Sequence, residues 1–202
     1  GKGAQKGADA NAGAAVVLDV KTAEVLALAT YPSYNPETFN ELYSELNADE
    51  RKPLWNRAVS GTYSPGSTFK PLTAIAALET GAVTVSEKLL CDGVYKFFKD
   101  YQPKCWIYLD YRGTHGWENV TKAIEDSCNL YFYEAGRRTG IEALDRYAAL
   151  FGLGELSGIE LTEESSGAMA SPDYKEKVDG GTWYGGDTIQ AAIGQSYSHF
   201  TP

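Results

Sequence analysis

From Gly61 to Pro71 the chain reads Gly-Thr-Tyr-Ser-Pro-Gly-Ser-Thr-Phe-Lys-Pro, and this string constrains the local backbone tightly. Pro65-Gly66 is a turn signal. The residues after it, Leu72, Ala74, Ile75, Ala76, Ala77 and Leu78, form an apolar run, so the pattern predicts a core helix over Thr68 to Leu78 that opens on Ser67 and ends near Gly81. Ser67 and Lys70, three residues apart, fall on one face of that helix. A serine hydroxyl is a poor nucleophile until a base takes its proton. A half-buried lysine at a helix start has its pKa lowered by desolvation and by the positive end of the helix dipole, which also favours an alkoxide on the serine. Pro71 cannot donate the backbone hydrogen bond that would close onto the Ser67 carbonyl, which loosens the turn there. A bare Ser-x-x-Lys equally describes an ordinary helix start, with Ser67 as cap and Lys70 in solvent.

The surrounding string separates these readings. Pro65-Gly66-Ser67-Thr68-Phe69-Lys70-Pro71 resembles the nucleophile motif of the class B, monofunctional penicillin-binding proteins, whose signature is Ser-x-x-Lys with Ser-x-Asn and Lys-Thr-Gly. Ser127-Cys128-Asn129, after a short helical stretch (Val120 to Asp126) and before Tyr131, Phe132 and Tyr133, fits the second motif in its family order. Ser33-Tyr34-Asn35 has the same pattern but precedes the nucleophile and reads as a loop. The third motif is missing downstream of Ser127. Lys21-Thr22-Ala23 is a partial match that reads as a turn between two strands. The resemblance implies a transpeptidase domain over residues 11–202 that is incomplete at its C-terminus, ending before the strand that carries the third motif. In the family that strand supplies one oxyanion donor, so only the Ser67 N–H can be assigned here.

The implied fold is α+β: an antiparallel sheet flanked by helices, like the penicillin-binding-protein and serine β-lactamase transpeptidase fold. The elements agree. Ala14 to Val20 and Glu24 to Tyr31 read as strands of a buried hairpin, being nearly continuous in apolar residues. Pro36 to Glu50 is polar with helical character, and Ile141 to Phe151 is amphipathic, with Leu144, Tyr147, Ala148 and Phe151 at helical spacing. Leu153 to Leu161 resembles the family's turn-and-strand segment. Residues 1–10, opening Gly-Lys-Gly-Ala-Gln-Lys-Gly, read as a linker or an expression scar.

Charge narrows the partners. Eighteen Lys and Arg against 27 Asp and Glu give a net charge of −9, which argues against nucleic acid and against electrostatic docking on an anionic membrane. No stretch of 18 apolar residues exists. By resemblance, a membrane tether would be an N-terminal helix outside this chain, the site of action would be extracytoplasmic in the cell envelope, and the machinery of cell-wall synthesis would supply partners.

Cys91, Cys105 and His115 are separated by 13 and 9 residues within one Gly- and aromatic-rich stretch, with Asp92 beside the first cysteine. Two thiolates, an imidazole and a carboxylate would complete a tetrahedral, structural Zn²⁺ site with no open position for water. A Cys91–Cys105 disulfide and two buried free thiols are the alternatives. Cys128, inside the second motif, reads as a small space-filling residue adjoining the active site, where it would be a point for covalent labelling.

The resemblance implies a D-alanyl-D-alanine transpeptidase acting on peptidoglycan stem peptides and acylated by β-lactams, with no cofactor needed for catalysis. Ser67 would attack the penultimate D-Ala carbonyl while Lys70 takes its proton. Ser127 would pass a proton to the departing D-Ala, and Asn129 would hold the peptide. His199 receives no role. Two rivals share the motifs: a carboxypeptidase or serine β-lactamase, in which water replaces the amine acceptor, and a non-catalytic β-lactam sensor or envelope scaffold.

Overall fold

The computed structural model describes residues 10–202, so the first nine residues of the predicted linker lie outside the described residues. The described chain divides into two compact units, one of residues 10–63, Leu156–Gly167 and Phe200–Pro202, the other of Ser64–Glu155 and Ala168–His199.

In the first unit, β1 (Gly13–Leu18) pairs antiparallel with β2 (Val25–Tyr31), from Gly13 opposite Tyr31 to Leu18 opposite Val25, with an irregularity between Val17 and Leu18. The connecting turn is tied by Asp19, whose carboxylate accepts from the Lys21 and Thr22 N–H groups at 2.8 and 2.9 Å. Lys21-Thr22-Ala23 is therefore the predicted turn. Ser33-Tyr34-Asn35 is likewise local: the Asn35 side chain accepts from Glu37 N at 3.0 Å and caps a single 3₁₀ turn, Pro36–Thr38, ahead of α1 (Phe39–Ala48). The hairpin differs from the expected buried pair. Val17, Leu18 and Leu26 are 50%, 51% and 62% exposed. Among the described residues no third strand pairs with β1 or β2. The predicted strand within residues 153–161 is also absent among the described residues; Ser157 N instead donates to Glu164 Oε1 at 2.7 Å, holding an irregular loop.

The second unit is mainly helical. A 3₁₀ turn at Gly66–Phe69 leads into α2 (Lys70–Glu79). Then come β3 (Leu89–Cys91), α3 (Trp106–Tyr111), β4 (Gly116–Glu118), α4 (Val120–Glu125), α5 (Asn129–Thr139), α6 (Ile141–Leu150), α7 (Pro172–Asp179) and α8 (Gly185–Ala191), with β3 and β4 antiparallel. α2 packs on α5, and their buried residues Ala74, Ala77, Leu130 and Phe132 share a core with Ile189 of α8 and with Ile193. Fully burying one such side chain as large as Phe132 stabilises by about 1.5–3 kcal/mol. α5 meets the end of α8 through Gly136, where an added Cβ would lie 2.2 Å from Ala192 Cβ. The Thr73 hydroxyl donates to the Ala192 carbonyl at 2.7 Å and ties α2 to the same point. The hydrophobic helix after the nucleophile thus forms as its apolar run predicts, with a 3₁₀ first turn. Among the described residues no helix is long and apolar enough to cross a membrane.

Candidate active site

All four predicted site residues lie in the second unit and meet at the start of two helices. The turn at Gly66–Phe69 presents Ser67 to solvent, while Lys70, one turn further, is 1% exposed. Gly66 makes this close fit. Its N–H donates to the Gly194 carbonyl at 2.8 Å, and a Cβ at Gly194, where φ is +70°, would lie 2.2 Å from the Gly66 oxygen. Only glycine at 194 lets that left-handed turn after α8 sit against the nucleophile turn without strain.

The second motif closes over Lys70 from α4 and α5. α4 ends at Glu125, Ser127 takes a left-handed backbone (φ +49°), and α5 begins at Asn129. A non-glycine residue held in this region costs of order 1–3 kcal/mol and persists where the surrounding structure imposes it. Here three hydrogen bonds impose it. Lys70 Nζ donates to Ser127 O at 2.7 Å, to Ser127 Oγ at 2.9 Å and to Asn129 Oδ1 at 2.6 Å, so every ammonium proton has an acceptor. Ser127 Oγ in turn donates to Ser67 Oγ at 3.0 Å. The nucleophile therefore reaches the lysine through the Ser127 hydroxyl. Burial is the main influence on Lys70 and lowers its pKa to about 8. Phe132 contributes to that burial, its ring centroid 5.8 Å from Nζ. With its Oδ1 on Lys70, Asn129 keeps its amide N–H donors for a ligand.

A sulphur-rich cluster lies directly behind this site. The ligand atoms of Cys91, Cys105, His115 and Cys128 all fall within 4.8 Å of one another. His115 Nδ1 is 3.5 Å from Cys91 Sγ and 3.6 Å from Cys105 Sγ, and the three cysteines are free. Asp92 is not among them, which corrects the expected fourth ligand. Successive side chains of a strand point to opposite faces, so after the inward Cys91 at the end of β3 the Asp92 carboxylate turns outward and pairs with Lys96. Cys128 stands in its place. It is fully buried, faces the cluster rather than the cleft, and caps α5 by accepting from Tyr131 N. Hydrogen bonds from Cys128 and Cys91 hold Cys105 well below the usual thiol range, while the same contact pushes Cys128 up. Three thiols and one imidazole are a donor set suited to tetrahedral zinc, and the buried His115 Nε2, without a hydrogen-bond partner, leaves Nδ1 as the ring atom turned to the sulphurs. Two buried groups had no signal in the sequence. Glu118 is fully buried beside Asp126 and Cys128, and burial pushes its carboxyl to about 7; Gly194 touches the nucleophile turn from more than 100 residues away. His199 pairs with Tyr174 and with the Tyr197 carbonyl.

A serine on a helix-opening turn, a buried lysine behind it and a Ser-x-Asn loop bridging the two thus form one hydrogen-bonded site. The penicillin binding protein transpeptidase domain model matches residues 13–202, and the chain belongs to that family. It is 39% identical to the peptidoglycan D,D-transpeptidase MrdA of Escherichia coli K12 over 200 residues, 94% of this chain and 30% of that protein. Among solved structures, it superposes on Pseudomonas aeruginosa PBP2 in complex with WCK 5153 with a TM-score of 0.86 and 33% identity, covering 99% of this chain and 45% of that one. It also superposes on Helicobacter pylori PBP2, solved as a complex with MreC, with a TM-score of 0.87 and 30% identity, covering 99% and 37%. The chain thus spans less than half the length of these relatives, and the α+β transpeptidase fold is shared with them.

Proposed function

We propose that the chain carries the nucleophile half of a serine D,D-transpeptidase that cross-links peptidoglycan stem peptides and is acylated by β-lactams. The observation that carries this reading is the unbroken hydrogen-bond path from Ser67 Oγ through Ser127 Oγ to Lys70 Nζ. Lys70 in its neutral form reverses the direction of that path: the Ser67 proton moves to Ser127 as the Ser127 proton moves to Lys70. The Ser67 oxygen attacks the penultimate D-Ala carbonyl, and the same path returns a proton to the departing D-Ala amine. Asn129 donates its amide N–H to the peptide. The ester on Ser67 is then taken by an amine of a neighbouring strand. A lysine pKa near 8 supports this role, since an appreciable neutral fraction exists at neutral pH. Incubation with a penicillin followed by intact mass measurement tests the proposal. One equivalent of adduct, absent from Ser67→Ala, is expected; an adduct retained by that variant overturns the assignment.

The relatives' names extend the proposal to setting. Similarity to a peptidoglycan transpeptidase supports an extracytoplasmic site of action, and the H. pylori PBP2–MreC complex supports cell-wall synthesis proteins as partners of the longer protein. The sulphur cluster supports a structural Zn²⁺ held by Cys91, Cys105, Cys128 and His115 Nδ1. Such an ion would fix the peptide on which Ser127 and Asn129 stand and takes no part in the acyl transfer. Native mass spectrometry is expected to find one zinc per chain; a folded, reduced and zinc-supplied chain that binds none overturns this part.

A further inference from the structure

The second unit contains another built depression, distinct from the acylation site. The loop bearing Phe98 and Tyr101 and the first turn of α8 enclose a groove of about 650 Å³, whose walls include Phe98, Tyr101, Lys175, Tyr184, Asp187 and Gln190. Glycine makes it. A Cβ on Gly185 would lie 2.7 Å from the Phe98 ring and one on Gly186 would lie 3.0 Å from the Tyr101 ring, so both rings rest on bare backbone. The polar groups are already fixed. Gln190 Nε2 donates to the Tyr101 hydroxyl at 2.7 Å, and the Asp187 carboxylate accepts from Tyr184 N at 2.8 Å and from Lys175 Nζ at 3.0 Å. Tyr184 and Tyr101 nevertheless stay 66% and 42% exposed, although Lys175 Nζ lies 5.7 Å from the Tyr184 ring centroid.

This combination selects a ligand chemistry. Lys99 and Lys175 offset Asp100 and Asp187 along the walls, so the groove favours a ligand without strong net charge. Open rings beside fixed amide, carboxylate and ammonium groups suit a flat body with an apolar face and a hydrogen-bonding rim. A pyranose has that shape: its C–H face lies on an aromatic ring while its hydroxyls and any acetamido group meet the polar wall. Position adds a second argument. α8 runs from this groove towards Gly194, whose carbonyl accepts from Gly66 N beside Ser67. Gly186 to Ala191 covers about 7–8 Å at the helical rise, and the turn at residues 192–194 follows.

We infer that the groove is a saccharide subsite that takes an N-acetylated amino sugar of the glycan strand whose stem peptide enters the Ser67 site. The inference rests on the transpeptidase reading for the identity of the polymer. Binding of the N-acetylglucosamine tetramer, with cellotetraose as the sugar lacking acetamido groups, is measured by saturation-transfer NMR and calorimetry on the chain and on Tyr184→Ala, Tyr184→Phe and Tyr101→Ala. Saturable binding of the amino-sugar tetramer is expected, weakened about three- to tenfold in each alanine variant and kept in Tyr184→Phe. Cellotetraose is expected to bind more weakly. No saturable binding, equal affinity in the alanine variants, or equal affinity for cellotetraose overturns the assignment. β-Lactam acylation of Ser67, measured on the same samples, is expected to be unchanged and reports separately on the transpeptidase reading. Its failure with sugar binding intact would remove the transpeptidase reading and, with it, the assignment of the sugar to the strand that feeds Ser67, while leaving the saccharide site itself.

Discussion

Two polar clusters meet at residues 127–129, and they are finished to different degrees. On one side, Lys70 spends all three protons on Ser127 and Asn129, and Ser127 closes the path to Ser67, so the four side chains are joined in one hydrogen-bonded chain. On the other side, three thiols and an imidazole converge on one point, and the second nitrogen of His115 is buried without a hydrogen-bond partner. Polar side chains already joined in a chain of hydrogen bonds are set to pass a proton among themselves; metal-ligating side chains that converge on one point beside an unpaired ring nitrogen are shaped for something supplied from outside. The first cluster therefore reads as chemistry and the second as a holder.

The largest test of that contrast falls on the first cluster. Ser67→Ala is predicted to abolish β-lactam acylation while the fold persists, read by intact mass and circular dichroism. Lys70→Ala is predicted to slow acylation by about 10²–10⁴-fold, the usual worth of a positioned proton acceptor; stopped-flow measurement with a chromogenic cephalosporin would read it, and a loss under threefold would break the proposed path.

On the holder side, Cys105→Ser is predicted to lower zinc content from one equivalent to a small fraction and to reduce the melting temperature, whereas Asp92→Ala leaves zinc content unchanged. The Asp92–Lys96 pair is an exposed ion pair, so its loss shifts stability by no more than about 1 kcal/mol. Zinc loss in Asp92→Ala with retention in Cys128→Ser would reverse the ligand assignment.

The smallest effect is a pH profile. Burial lowers Lys70 to about 8, so the acceptor form grows as pH rises through that value. The acylation rate is predicted to climb about tenfold from pH 7 to pH 9 and then level off. A rate flat across this range would mean that Lys70 acts as a fixed charge.

Legibility in the sequence follows the same division. Turn signals and spacing placed Ser67 with Lys70 at one helix start, but only the resemblance to the penicillin-binding proteins joined them to Ser127 and Asn129, some 60 residues on. The apolar run after Pro71 likewise announced α2, and the turn at Lys21 to Ala23 announced the hairpin. The cluster was half legible. Cys91, Cys105 and His115 share one stretch, but choosing Cys128 over Asp92 needed the side-chain alternation at the end of β3 and the packing of α5 behind it. Neither is written in local spacing. The hairpin shows the opposite limit: continuous apolar strands predicted burial, yet Leu26 and Leu18 stay exposed because pattern records what a face is suited to meet, not what stands against it among the described residues.

One consequence of Cys128 concerns inhibitors. A cysteine next to a serine proposed to relay protons invites the design of an electrophile that enters with the substrate and reacts with sulphur instead of oxygen. Here the two side chains point into separate compartments: Ser127 towards the open cleft, Cys128 into a sealed one with no exposed surface. A warhead delivered through the substrate cleft meets the serine hydroxyl and never the thiol, so selectivity against this protein has to be sought in the shape of the cleft, not in the reactivity of its neighbouring cysteine.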